Sequence, residues 1–301
     1  MDKSSLCAYL NERGDEYEYT IDADAADITS FKCGGIVAVA VYPKSTASLC
    51  ALLQYLTDAG IRHDVIGLGT NVLVDDGGYD GVLVITTKMA GIDIDGEMLT
   101  AECGRGITAC ASAAQKAGLA GFSFAYGIPG SVGGAVAMNA GAYGGEIADI
   151  IVSAECYDMA AKKVVTIDKD GLSLGYRDSI IRRGGLIVLS ASFKLKKGDP
   201  DAILAEMTDI MDRRRDKQPL SYPSAGSVFK RAPGHFTGRL IEDAGLKGMR
   251  IGGAEVSEKH AGFIINKENA TASDVKALVE LVEERVYESF GVKLEREIIY
   301  L

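Results

Sequence analysis

At 301 residues, with 47 % apolar and 25 % charged side chains, the chain has the composition of a folded globular protein, which excludes a disordered tail or a fibrous repeat. A net charge of -10 removes the broad basic face that a nucleic-acid backbone demands, and leaves room only for a small anion held by a local basic cluster. No apolar run approaches the ~18 to 20 residues that span a bilayer, and the start of the chain lacks a secretory pattern, so the sequence predicts a cytoplasmic protein of two or three domains with no membrane segment.

The first elements alternate. Ile36 to Tyr42 is β-branched and apolar and predicts a strand, Ser48 to Ala59 predicts a helix closed by Gly60, and Arg62 to Ile66 and Val82 to Ile85 predict two more strands. Strands then dominate: a hairpin turns at Asp95-Gly96 between Ile92 and Leu99, and further strands are expected at Ile150 to Tyr157, Lys163 to Ile167 and Ile187 to Leu195. One helix, Ile107 to Lys116 with Gly118 beyond it, interrupts them. Pro200 to Arg215 predicts an amphipathic helix, with Ile203, Leu204, Met207, Ile210 and Met211 on one face. The last segment adds a short helix at Gly238 to Ala244 capped by Thr237, and a long one from Ser273 to Phe290 whose apolar stripe belongs to a core. A closing strand is expected at Val292 to Tyr300. The pattern is α+β, with breaks expected near residues 86 and 216.

The six cysteines form no C-x-x-C pair and have no histidines at zinc-ligand spacing, so they read as reduced, small buried apolar residues, and no metal is expected. Two glycine-rich stretches could carry chemistry. Gly67-Leu68-Gly69-Thr70-Asn71 follows a strand, so its backbone could approach a phosphate closely; it lacks the third glycine and the helix of a dinucleotide fingerprint, and a plain tight turn explains it as well. The second runs from Tyr126 to Ile147. Seven glycines fall among residues 127–145, a costly density unless the chain winds against a flat, phosphate-bearing cofactor and offers it amides.

Four further spots are ambiguous alone. Tyr176-Arg177-Asp178-Ser179 puts an arginine in a polar turn, where a surface ion pair is the simple alternative. Ser227, in Ser224-Ala225-Gly226-Ser227-Val228-Phe229-Lys230, could equally be a helix cap. In Leu294-Glu295-Arg296-Glu297-Ile298, alternation puts Glu295 and Glu297 on one face, as in any charged edge strand. Arg213, Arg214, Arg215 and Lys217 could hold an anion or merely complement a helix end.

Taken together, these segments resemble the UDP-N-acetylenolpyruvoylglucosamine reductases over nearly the whole chain. The resemblance is most specific from Gly127 to Ile147, followed by Ser224 to Lys230, and by Gly245-Leu246-Lys247-Gly248 with Val256 to Asn266. It implies a two-part FAD-binding region of the vanillyl-alcohol-oxidase-like (PCMH) type, residues 1–86 and 87–216, and a C-terminal α+β substrate-binding domain, residues 217–291, with the strand 292–301 packing back on the first part. It also implies the branch without the substrate-covering tyrosine loop. NADPH would be the hydride donor, FAD would be bound non-covalently, and a sugar nucleotide would be the substrate. By motif position Arg177, Ser227 and Glu297 would be catalytic. Gly67, Gly69, Thr70, Asn71, Pro129, Gly130, Ser131, Gly133, Gly134, Asn139, Gly141, Ala142 and Gly144 would hold the cofactor. Tyr176, Arg213, Lys217, Lys230 and His260 would face the substrate. Thr70 stands where the family usually has serine, which keeps the hydroxyl, and Gly35-Ile36-Val37-Ala38 replaces a more typical Gly-Gly-Pro-Ala stretch.

Overall fold

The structure is a computed structural model describing residues 3–301. The chain forms two compact units. The first comprises the chain up to Ile21 with Val39–Leu68 and Asp80–Asp212; the second comprises Asp22–Ala38, Gly69–Tyr79 and Arg213–Leu301.

In the first unit the helix Thr46–Asp58 begins where Ser45 accepts from Ser48 N and the Ser48 side chain answers to the Ser45 amide, a reciprocal cap that satisfies two otherwise orphaned donors. Its Leu49, Leu52, Leu53 and Leu56 are buried against Val39, Val41, Val82 and Val84 of a sheet ordered Tyr17–Asp24, Ile36–Pro43, Tyr79–Ile85, His63–Ile66. His63–Ile66 pairs in parallel with Tyr79–Ile85, His63 opposite Val82. Strands paired in parallel and covered by a helix favour unbroken apolar runs, and Val82, Leu83 and Val84 supply one.

The second sheet of this unit is antiparallel and five-stranded, in the order Lys163–Asp168, Ile151–Asp158, Leu186–Lys194, Met98–Glu102, Ile92–Asp95. The hairpin at Asp95-Gly96 sets its edge, Asp95 facing Met98 and Gly96 taking φ +59. Ile107–Lys116 forms the expected helix, burying Ile107, Cys110, Ala111 and Ala114. Cys103, Cys110 and Cys156 all lie in this core, and burial pushes each thiol up to about 12.

The second unit has its own core. A sheet ordered Ser224–Ser227, Phe263–Asn266, Ala254–Val256, Arg250–Ile251 lies against the helix Ala272–Phe290, whose Val275, Leu278, Val279, Val282 and Val286 are buried. Thr271 caps that helix in a reciprocal box with Asp274, and Gly291 at φ +66 ends it. Two distant segments complete this unit. Asp76 accepts from Ala272 N (2.7 Å) and Ser273 N (2.8 Å) at the helix start, and Asn266 Nδ2 donates to the carbonyls of Phe31 (3.0 Å) and Lys32 (3.2 Å).

Two local expectations change. Thr237 is not a cap: the residue before the helix Thr237–Asp243 is Phe236, and the Thr237 hydroxyl instead accepts from Ala232 N and donates to the Lys230 carbonyl, closing the loop in front of the helix. The closing strand is also shorter than Val292 to Tyr300. Only Ile299–Tyr300 runs as a strand, parallel to Val72–Leu73, because the residues before it meet a partner at one bridge, Phe229 with Arg296.

Candidate active site

In the first unit the glycine-rich stretch and the arginine turn are fastened to each other. Ser131 accepts from Gly134 N (3.3 Å) and opens a short helix, Val132–Ala137. The chain then turns at Asn139, a buried residue at φ +41. Asparagine tolerates that left-handed conformation better than most side chains, and its carboxamide uses both ends: Nδ2 donates to Gly175 O (3.0 Å) and Oδ1 accepts from Ala148 N (2.9 Å). Gly175 and Asp178 close the arginine turn by bonding each other's backbone, and Ser179 Oγ donates to Ala137 O at 2.7 Å. Arg177 is thereby held at φ +53 with Nη2 on the Gly141 carbonyl (3.2 Å) and its guanidinium 5.3 Å from the ring of Tyr176. Arg183 pairs with Asp178 (3.1 Å), which holds the Asp178 carboxyl below its ordinary range.

The glycines of this unit divide by what a side chain would meet. A Cβ on Gly67 would overlap the Ser131 hydroxyl, one on Gly141 would come within 2.7 Å of Glu146 Cβ, and one on Gly145 within 2.8 Å of the Phe124 ring. These three are glycine so that the protein can close on itself. Beside Gly144 there is open space, and Gly134 meets only Ser131 Oγ at 3.5 Å. A flat ligand needs that kind of unobstructed backbone. The amides of Val132, Gly133 and Gly134 are taken by Arg105 O, Cys103 O and Ser131 Oγ, which narrows the expectation that this stretch offers its amides: at these positions it supplies room rather than donors. Pro129 is exposed, while Gly130 and Ala142 are half-buried; Gly130 O accepts from Ile107 N (2.8 Å), and Ala142 faces Gly145 across a two-strand turn.

In the second unit Ser227 ends the strand Ser224–Ser227, half-buried, opposite Phe263. The C-terminal segment runs beside it: Glu297 N donates to Val228 O (2.8 Å) and Lys230 N to Glu295 O (2.8 Å). Two candidate residues seventy positions apart, Ser227 and Glu297, are thus carried on adjacent backbone. Asn71 Nδ2 donates to the Glu297 carbonyl (3.0 Å), which joins the first glycine loop to the same place. Gly69 sits at φ +63, where a side chain would strike the Ile28 carbonyl, and Thr70 beside it is half-buried. Arg296 points the other way and grips Glu283 with two bonds of 2.6 Å. The Lys230 ammonium is paired with Glu295. Arg213 and Lys217 are both exposed, one helical turn apart, and Arg214 between them is buried.

The sequence reading missed the anchors. Ser179 is fully buried and Asn266 nearly so, and both act by bonding backbone far along the chain, a role that leaves no periodic mark.

A model of the FAD binding domain matches residues 10–168, so the chain is of the flavin-dependent oxidoreductase class. A second, the UDP-N-acetylenolpyruvoylglucosamine reductase C-terminal domain, matches residues 218–301. Among curated proteins, UDP-N-acetylenolpyruvoylglucosamine reductase of Caldicellulosiruptor bescii is 48% identical over 295 residues, covering 97% of this chain and 93% of that protein. Its counterpart in Clostridium novyi is 48% identical over 270 residues, covering 90% and 88%. The crystal structure of the Thermus caldophilus reductase superposes with a TM-score of 0.79 at 30% identity, covering 94% of this chain and 98% of that one. The chain belongs to the UDP-N-acetylenolpyruvoylglucosamine reductase family.

Proposed function

We propose that the chain reduces UDP-N-acetylglucosamine enolpyruvate to UDP-N-acetylmuramate in peptidoglycan precursor synthesis, with NADPH as donor and FAD held without a covalent bond. The observation that carries this reading is the match to reductases of that name across nearly the full length of both chains, at 48% identity. FAD, when bound, supplies a two-electron carrier between NADPH and the enolpyruvyl group. Residues that fit it are Gly67, Gly69, Thr70 and Asn71 with the stretch from Pro129 to Gly144, where Gly134 and Gly144 leave backbone uncovered.

The chain's own residues then have separable tasks. The reduction adds hydride to the terminal carbon and a proton to its neighbour, so negative charge grows toward the carboxylate in between. Arg177 holds that carboxylate, and its turn, fixed by Asn139 and Ser179, keeps the guanidinium from reorganising as charge develops. Ser227 Oγ delivers the proton to the neighbouring carbon, and Glu297, if protonated, hydrogen-bonds the carboxylate. Arg213 and Lys217, four residues apart on one helix end, meet the diphosphate. Tyr176 and Lys230 face the sugar nucleotide, and residues 217–291 form its domain.

The test is anaerobic. Protein reduced with one equivalent of NADPH is mixed with the enolpyruvyl sugar nucleotide, and flavin absorbance is followed. Return of the oxidised spectrum with formation of UDP-N-acetylmuramate is expected, slowed about 10²-fold or more in Ser227→Ala. A reduced flavin that ignores the substrate refutes the assignment. Acid precipitation should leave the yellow colour in the supernatant, and a yellow pellet would refute non-covalent binding.

A further inference from the structure

We infer that His260 is a positioning residue for the Ser227 hydroxyl and acts through Gly262. This rests on the reading of Ser227 as proton donor. The connection is short and lies within one unit. Gly262 N donates to His260 Nδ1 at 3.1 Å. Gly262 O accepts from Val228 N at 2.9 Å, and Phe263 stands opposite Ser227 in the register of the two strands. The imidazole therefore grips the amide of a residue whose carbonyl fixes the backbone immediately after the serine.

Packing gives the same answer independently of the hydrogen bonds. A Cβ on Gly262 would lie 3.0 Å from His260 Cε1 and 3.2 Å from Nδ1 on one side, and 3.9 Å from Ser227 Oγ on the other. A side chain at this position would push the ring, while the Ser227 hydroxyl lies at ordinary contact distance beyond it. The ring itself is located on its remaining sides. Phe263 meets it edge-on at 4.9 Å, a Cβ on Gly238 would sit 3.5 Å from Cε1, and Ser257 Oγ accepts from His260 N at 3.3 Å.

Nδ1 acts as acceptor here, so the proton sits on Nε2 and the ring is neutral. Burial, with Lys247 adding to it, holds the imidazole below its ordinary pKa and keeps that state through neutral pH. The task of the ring is geometric: Ser227 reaches the substrate carbon at the right distance only while residues 260–263 keep their turn. A misplacement of about 1 Å in such a group is enough to slow a reaction about 10²-fold.

The test uses the flavin-loaded enzyme and three variants. In His260→Asn, Oδ1 takes the place of Nδ1 and can accept from Gly262 N; in His260→Gln the amide lies at the place of Nε2; His260→Ala has neither. Flavin reduction by NADPH and reoxidation by the enolpyruvyl substrate are measured separately by stopped flow. His260→Ala is expected to slow reoxidation about 10- to 10²-fold while flavin reduction by NADPH stays near the wild-type value. His260→Asn should recover most of that loss and His260→Gln little of it. Gly262→Ala, which presses on the ring, should slow the same step. Wild-type reoxidation in His260→Ala would overturn the inference, and so would recovery by Gln in preference to Asn, which would make the Nε2 edge the working one. Ser227→Ala run alongside separates the two readings: if it does not slow reoxidation, the serine assignment itself falls, whatever the histidine variants do.

Discussion

Replacing Gly67 with alanine places a methyl carbon on top of the Ser131 hydroxyl and within 2.7 Å of Ser131 Cβ. A change of χ1 at Ser131 removes the first overlap and leaves the second, so backbone must move. Overpacking of this kind costs about 1–3 kcal/mol. The hydroxyl also loses its place as acceptor for Gly134 N, and a broken cap adds about 1 kcal/mol. Gly67→Ala is therefore expected to lower stability by about 2–4 kcal/mol and to weaken FAD retention, since both sides of the collision belong to the candidate cofactor residues. Urea unfolding followed by circular dichroism, with and without added FAD, measures both effects. A second variant makes the argument specific. Ser131→Gly removes the colliding atoms and alone costs only a few tenths of a kcal/mol as a cap, so Gly67→Ala/Ser131→Gly should recover at least about 1 kcal/mol relative to the sum of the singles. An unchanged unfolding midpoint in Gly67→Ala, or strictly additive effects in the pair, would refute the reasoning.

Three further outcomes are expected. Asn139→Ala loses two buried hydrogen bonds and puts alanine at φ +41; it should cost about 1–3 kcal/mol in denaturant titration and slow reoxidation by the substrate through the released Arg177 turn, whereas wild-type values in both assays would show that the carboxamide does not fasten that turn. At Asp76, burial raises the carboxyl, but the Ser273 side chain and amide and the Ala272 amide outweigh it and the pKa is lowered. The stabilisation is present above the unfolded value near 3.8 and is lost as pH falls through the lower folded value. Asp76→Ala should thus cost about 1 kcal/mol at pH 7, a figure kept small because the carboxylate is exposed, and progressively less in unfolding curves taken below pH ~3.8; a difference that does not shrink there would refute the assignment. Burial pushes Cys33, Cys103, Cys110 and Cys156 up to about 12, so at pH 8 only about one molecule in 10⁴ carries each thiolate. A thiol reagent should label Cys7 first in the folded protein, and mass spectrometry finding Cys103 or Cys156 modified before unfolding would contradict it.

Elements whose signal is local follow from the sequence without tertiary contacts. The helix Ile107–Lys116 and its glycine, the Asp95-Gly96 hairpin, and the stripe from Val275 to Val286 all follow from period, caps and turn residues that lie within a few positions of one another. The glycine density of residues 127–145 also announced a special backbone, and it does contain one. What the special residues attach to depends on the folded chain. Asn139 reaches Gly175 thirty-six positions on, Asn71 reaches Glu297, and Asp76 opens the helix that begins at Ala272. Each of these bonds joins a side chain to a backbone group at large sequence separation, where neither partner alters the pattern around the other. The closing strand shows the converse. Alternation predicts it over nine residues, but a strand needs a neighbour as well as a period: beyond the single bridge at Arg296, only Val72–Leu73 supplies one, to Ile299–Tyr300.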